Sequence, residues 1–133
     1  IMSLVVPNEG ELLLLQYMVN KTEPVDLSLR LYNNDQTLAE ATAYADLTQV
    51  SAAGYAAQTL TGSDWSTALV STNTATASHV EKTFTMSVAA TIYGYYVTAG
   101  TSTVLWAERF SGAPFVLPAG GGTIAITPKV TLD

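Results

Sequence analysis

The stretch TIYGYYVTAGTSTVLWAERF, residues 91–110, decides how the rest of the chain is read. Aromatic and β-branched residues crowd both of its halves, and such side chains fill a pleated, half-buried surface well. Gly100 in the middle supplies the positive φ that a strand connection of this kind uses. Two strands are therefore expected, Ile92–Val97 and Thr103–Phe110. Strict alternation places Ile92, Gly94 and Tyr96 on one face and Tyr93, Tyr95 and Val97 on the other. In the second strand it groups Val104 and Trp106 with Glu108, and Leu105 and Ala107 with Arg109. Both faces are largely apolar, so the hairpin belongs in the middle of a packed sheet.

Toward the N-terminus, Val80–Val88 alternates Val80, Lys82, Phe84 and Met86 against Glu81, Thr83, Thr85 and Ser87, and reads as a strand. Trp65–Val70 and Tyr55–Leu60 read as two more, with the soft stretch STNTATAS between the first and the Val80 strand. Thr37–Val50 mixes helix and strand formers and reads as an irregular connection holding a short strand or a turn of helix. Val25–Tyr32 alternates cleanly, Val25, Leu27, Leu29 and Leu31 against Asp26, Ser28 and Arg30, and ends at the turn Asn33-Asn34-Asp35. Before it, Gly10–Asn20 reads as a helix, with Asn8 as N-cap and Glu11 completing an approximate capping box. Its apolar residues point almost all round, so more than one side needs covering. Toward the C-terminus come a turn at Ser111–Pro114, the short strand Phe115–Leu117, the loop Pro118–Gly122 as a flexible tip, and a last strand Thr123–Leu132. Pro128 interrupts that strand and marks an edge or a bulge. Short strands set apart by turns define an all-β chain: one antiparallel β-sandwich domain over residues 1–133, jelly-roll-like, with one short helix and residues 1–24 as an N-terminal arm.

Composition narrows the function classes. The chain has no cysteine, which removes disulfides and thiolate metal sites. A net charge of −6, with five scattered bases, argues against nucleic acid, where phosphate neutralisation dominates affinity. The longest apolar run, Leu12–Leu15 with Tyr17–Val19, is far shorter than the ~20 residues of a membrane span, and neither a membrane nor a signal segment is expected. Charged residues are only 12% of the chain, which suits a surface largely covered by neighbours as well as it suits a Thr-rich β-protein.

No catalytic pattern is placed. His79 is the single histidine, and neither a triad nor a zinc site can be assembled around it from motif spacing. Asp64, Glu81 and Glu108 lack the spacing of a glycosidase pair. Glu108 and Arg109 are neighbours in a strand, point to opposite faces, and should each meet a cross-strand partner. Asn33, Asn34 and Asp35 lack a calcium-loop pattern, and Gly120-Gly121-Gly122 leads into a strand, not a phosphate-binding helix. Tyr44, Tyr55, Trp65, Tyr93, Tyr95, Tyr96 and Trp106 are candidates for stacking on sugar rings, with the core as their more usual place. No enzymatic activity, cofactor or metal is expected.

The opening SLVVPNEGELLLLQYMVN (residues 3–20), the strand end LRLYNN (29–34) and the run YGYYVT, VLWAERF and PF (93–98, 104–110, 114–115) resemble small virion proteins of tailed bacteriophages, of the capsid decoration or cement type. The resemblance implies a structural protein that binds and stabilises a phage capsid on its outer surface, assembled in the host cytoplasm. It implies the major capsid protein as partner and a homo-oligomer, dimer or trimer. A tail or head-fibre component and a carbohydrate-binding β-sandwich are the alternative readings. The apolar N-terminal residues Leu4, Val5, Val6, Leu13, Leu14, Tyr17 and Met18 are the candidate partner contacts, because one sandwich end cannot easily hide them all.

Overall fold

Eleven strands and one α-helix form along residues 4–132, the part of the chain that the computed structural model describes. Helix α1 (Asn8–Met18) is followed by β1 (Leu27–Tyr32), β2 (Gln58–Leu60), β3 (Trp65–Ser71), β4 (Thr74–His79) and β5 (Lys82–Met86). Then come β6 (Ala90–Ile92), β7 (Gly94–Ala99), β8 (Thr103–Arg109), β9 (Phe115–Leu117), β10 (Gly122–Ile126) and β11 (Lys129–Leu132). Every strand pairing is antiparallel.

The expected hairpin is the centre of the molecule. β7 is hydrogen-bonded to β1 on one side and to β8 on the other, in a four-stranded sheet ordered β2-β1-β7-β8. Leu29, Leu31, Leu60, Tyr95, Val97, Leu105 and Trp106 project from one face of this sheet into the main core. They meet Phe84 and Met86 of β5, Ile92 of β6, Leu117 of β9, and Ile124 and Ile126 of β10. Each such side chain taken fully out of water contributes about 1.5–3 kcal/mol. The reverse face buries Tyr32, Tyr96, Val104 and Ala107 beneath Leu47, with Leu38, Tyr44 and Tyr93 packed around them. The result is an all-β, antiparallel sandwich with one short helix; the strand order does not establish a jelly-roll winding.

Strict alternation fails in β8, and the reason is a bulge. Val97 pairs with Trp106 and Thr98 with Val104, so Leu105 is an extra residue. Leu105 and Trp106 consequently enter the same core, while Val104 shares the opposite face with Ala107. A bulge shifts facing by one residue, which regroups every side chain on one side of it. Gly94 explains the close approach of β7 to its neighbours, because a Cβ there would meet the Glu108 carbonyl and come within 2.7 Å of the Tyr32 ring.

Other boundaries differ from the sequence reading. The soft 71–78 stretch is not a loop: it contains the turn into β4, a strand whose Thr, Ala and Ser residues give no hydrophobic contrast. The Tyr55–Leu60 strand contracts to β2, and the 37–50 connection holds a 3₁₀ turn at Tyr44–Asp46. Asn34 braces that connection, donating through Nδ2 to the Asp46 carbonyl (2.8 Å) and accepting from the Thr48 amide (2.8 Å). The last strand is two strands: β10 pairs with β5, and after buried Pro128 the chain switches sheets so that β11 pairs with β4. Gly121 is not a loose tip, since at φ 77° it lies where a Cβ would strike the Met86 backbone.

Candidate functional site

Helix α1 begins one residue after buried Pro7, whose fixed φ of −70° in extended backbone leads the chain into the helix. Asn8 is its first helical residue, and no side chain caps it; this corrects the N-cap assignment. Instead the Asn8 amide donates to the Glu40 carbonyl (2.8 Å). Glu9 reaches out of the helix, and its Oε1 accepts from the Val104 amide (2.7 Å) and the Tyr44 amide (3.2 Å). Val104 adjoins the bulge, so the carboxylate satisfies a backbone donor on the outer edge of β8. Farther along that edge Val5 exchanges both backbone hydrogen bonds with Ala107 (2.8 and 2.9 Å). Gly10 lets the helix lie directly on β8: a Cβ there would fall 2.5 and 2.6 Å from the Leu105 and Val104 carbonyl oxygens. The N-terminal segment thus covers a sheet edge that would otherwise present open donors and acceptors.

The helix seats one side and leaves the other bare. Leu4, Val6 and Leu13 pack against the main core, Val5 is half-buried in its bridge, and Tyr17 is half-buried, its phenol pKa raised by burial. Of the seven expected contact residues only Leu14 and Met18 are exposed. The wider bare surface is formed by Leu12 (60% exposed), Leu15 (58%), Met18 (79%) and Val19 (72%). Helical spacing puts Leu12, Leu15 and Val19 on one stripe, but only the position of Gly10 against β8 determines that this stripe faces outward.

A second apolar surface, absent from the sequence reading, lies on the three-stranded sheet β11-β4-β3. Pairing sets Thr67 and Leu69 of β3, Ala75 and Ala77 of β4, and Val130 and Leu132 of β11 on one face. Small residues on the middle strand and larger ones on its flanks make an open trough of about 420 Å³. Leu69 and Leu132 are 72% and 74% exposed. At the start of β3, Trp65 packs its ring 5.0 Å from His79 and 6.3 Å from Trp106. One sequence signal marks the region: residues 65–80 contain no Asp, Glu, Lys or Arg.

The residues weighed for chemistry take structural places. His79 is buried, donates from Nδ1 to the Val80 carbonyl (2.8 Å) and packs edge-on to Trp65. Glu108 accepts from the Tyr95 hydroxyl (2.8 Å), its cross-strand partner. Arg109, on the other face, pairs with Asp35 (2.6 Å), donates to the Gln36 carbonyl (3.1 Å) and lies 5.1 Å over the Tyr93 ring. Asp64 and Glu81 are exposed, and the Asp64 carbonyl accepts from the Val80 amide (3.3 Å). Glu11 and Glu40 share an open groove beside Leu4–Val6, both of them exposed. Tyr95, Tyr96 and Trp106 are buried, and Tyr44, Tyr55, Trp65 and Tyr93 are half-buried, so these aromatics form no exposed row. Burial pushes the Tyr32 phenol up to about 12 and raises those of Tyr95, Tyr96 and Tyr55 as well. Among the described residues no group of three or more His, Cys, Asp or Glu side chains is placed to hold a metal ion, and no helix is long and apolar enough to cross a membrane. The chain matches no known family model, and neither a curated protein nor a solved structure matches it significantly.

Proposed function

We propose that this chain is a structural virion protein that binds and stabilises a phage capsid, a cement or decoration component on the outer surface of the shell. The observation that carries the associative part of this reading is α1: a helix fixed to the body by Glu9, Gly10 and the Val5 bridge, with a stripe of large apolar side chains left in water. Each large apolar residue exposed in this way forgoes roughly 1.5–3 kcal/mol until a partner covers it. Its rigid mount means that little ordering is needed on binding. The phage setting rests on the resemblance of residues 3–20, 29–34, 93–98, 104–110 and 114–115 to small virion proteins. On this reading the partners are the major capsid protein and further copies of the chain, in a dimer or trimer; nucleic acid, membrane, cofactor and catalysis have no part in it.

The test is to add purified protein to assembled phage shells that lack it, sediment them, and locate it by electron microscopy. Density at symmetry-related sites on the outer surface, with shells that withstand higher temperature, is the expected result. Failure to co-sediment overturns the proposal. Density confined to a tail or head fibre reassigns the chain to another virion part, and binding to a glycan array instead of shells makes it a carbohydrate module.

A further inference from the structure

We infer that the outer edge of β3 pairs with the same edge of a second copy of this chain, the two strands lying antiparallel about a two-fold axis at Thr67. The ladder fixes which groups on β3 are open. In an antiparallel pair alternate residues point N–H and C=O at the neighbour, and the residues between point theirs the other way. The His79 amide of β4 donates to the Pro128 carbonyl (2.9 Å), on the β11 side. Just past β4, the Val80 amide donates to the Asp64 carbonyl (3.3 Å), on the β3 side. Trp65 lies opposite His79 and Ser66 opposite Ser78, so Ser66 and Ala68 bond to β4. Thr67 and Leu69 turn their amides outward, beside the outward carbonyls of Trp65 and Thr67; the Trp65 amide is taken by the Gly62 carbonyl. Among the described residues no other segment bonds to this edge. A row of open donors and acceptors fits one kind of occupant, a further extended strand.

Other edges carry devices that β3 lacks. The edge of β8 is covered by Val5 and Glu9, β2 is three residues long, and β11 follows Pro128 and carries Lys129. β3 runs for seven residues with neither a proline nor a charge. Its own sequence shows which strand matches it. Around Thr67 it reads Trp65-Ser66-Thr67-Ala68-Leu69, the same pattern of large and small residues in both directions. The two-fold axis sets Thr67 opposite Thr67 of the second copy, Ser66 opposite its Ala68, and Trp65 opposite its Leu69. No like charges meet, and cross-strand Thr pairs stabilise a ladder. Leu69, 72% exposed on the single chain, gains a Trp65 ring beside it. The two Thr67 residues exchange both backbone hydrogen bonds, and each Leu69 amide donates to the Trp65 carbonyl across the axis. Centring the axis on Ser66 or Ala68 instead runs the pairing into the Gly62–Asp64 turn or past the register shift between Leu69 and Ser71. A two-fold contact is closed, so pairing stops at two copies. Limited to Trp65–Leu69, it buries less than the ~800 Å² per partner of a stable pair, and the dimer is therefore concentration-dependent.

This inference specifies the dimer that the proposed function allows and rests on that reading only in taking the chain to work by association; its test uses purified protein without shells. By sedimentation velocity over a concentration series, wild type is expected to pass from monomer to dimer. Thr67 is exposed, and Thr67→Lys or Thr67→Glu sets two like charges against each other on the axis. Each variant alone should stay monomeric with an unchanged circular dichroism spectrum, and an equimolar mixture of the two should restore a 1:1 dimer. Amide hydrogen exchange on wild type needs no variant. Thr67 and Leu69 should exchange severalfold more slowly in concentrated than in dilute protein, while Ser66 and Ala68, bonded to β4 throughout, change little. A wild type that is monomeric throughout, a dimer that both Thr67 variants leave intact, or a mixture that stays monomeric overturns the inference. So does exchange at Thr67 and Leu69 that is indifferent to concentration. A dimer abolished by Leu15→Arg instead places the contact on α1 and also overturns it. Shells that fail to bind a dimer behaving as expected reject the proposed function and leave this inference standing.

Discussion

Two hairpins of this molecule, β7–β8 and β3–β4, are built alike and end in opposite circumstances. Both are antiparallel, and both carry a register shift, at Leu105 in one and at Val70 in the other. The first is buried on both faces; in the second, β3 is exposed beyond Trp65 and β4 is mostly half-buried. Side-chain volume separates them. Tyr, Trp, Leu and Val fill β7 and β8, and their bulge turns one more large residue inward. Thr, Ala and Ser fill β4 and most of β3, whose Leu69 and Val70 stay exposed; the ladder forms equally well but lacks the bulk to build a core. Backbone pairing makes a strand, and burial is decided separately. A neutral ladder without bulk remains as a surface, and its apolar face awaits something else to cover it.

The sharpest way to break this contrast is to remove the same side chain from both sheets. Leu31→Ala in β1 is expected to cost about 2–5 kcal/mol in urea unfolding, because the completely buried site cannot collapse around the loss. Leu69→Ala should change the stability of the monomer by no more than about 0.5 kcal/mol. Equal costs would sink the comparison.

Glu9→Ala probes how the helix is fixed. The Val104 and Tyr44 amides lose their acceptor, and a loss of about 1–3 kcal/mol follows, with faster hydrogen exchange at Val104. Glu9→Gln keeps an oxygen at the position and should lose less.

Alkaline pH should act on the large sheet and spare the small one. All seven tyrosines lie outside residues 65–80. Burial holds the Tyr32 proton to about 12 against 10.0 for the free phenol, and raises Tyr95 and Tyr96 in the same direction. Between those values the unfolded chain has released protons that the folded one still holds. Stability is therefore full below about pH 10 and falls above it, by about 1.4 kcal/mol per pH unit for each such tyrosine. Tyrosinate absorbance rising together with loss of the fold is the expected record; buried phenols that titrate in the intact protein would contradict it.

The smallest effect is expected at Asp35→Asn, which removes the ion pair of an exposed carboxylate with Arg109. Exposed pairs contribute about 0.2–1 kcal/mol, and a thermal unfolding curve nearly superimposed on wild type is the expected outcome.

Large residues made the first hairpin readable in the sequence, and Trp65–Val70 of the second as well, while small ones concealed its other strand, β4. Tyr93–Val97 and Val104–Phe110 announce strands, but nothing there marks the bulge, because an extra residue in a ladder is a property of the pairing. STNTATAS has no apolar period, so β4 was invisible without its partners β3 and β11. The helix was readable from its leucines, while its orientation was not: Gly10 against β8 sets it, and that contact joins residues nearly a hundred positions apart. The absence of charge from residues 65–80 was open to inspection and is the one sequence trace of the trough.

Glu9 also has a consequence for the order in which the molecule forms. Its carboxylate binds an amide 95 residues away, on an edge that exists only once β8 has paired. A contact spanning so much chain is entropically costly to make early and is stable only late. The helix, though it precedes every strand along the chain, is thus set in place near the end, and its apolar stripe takes up its final orientation only on a finished body. Glu9→Ala is accordingly expected to speed unfolding and leave the refolding rate almost unchanged in stopped-flow measurements. Equal slowing of refolding would mean that the helix is seated before the sheet is complete.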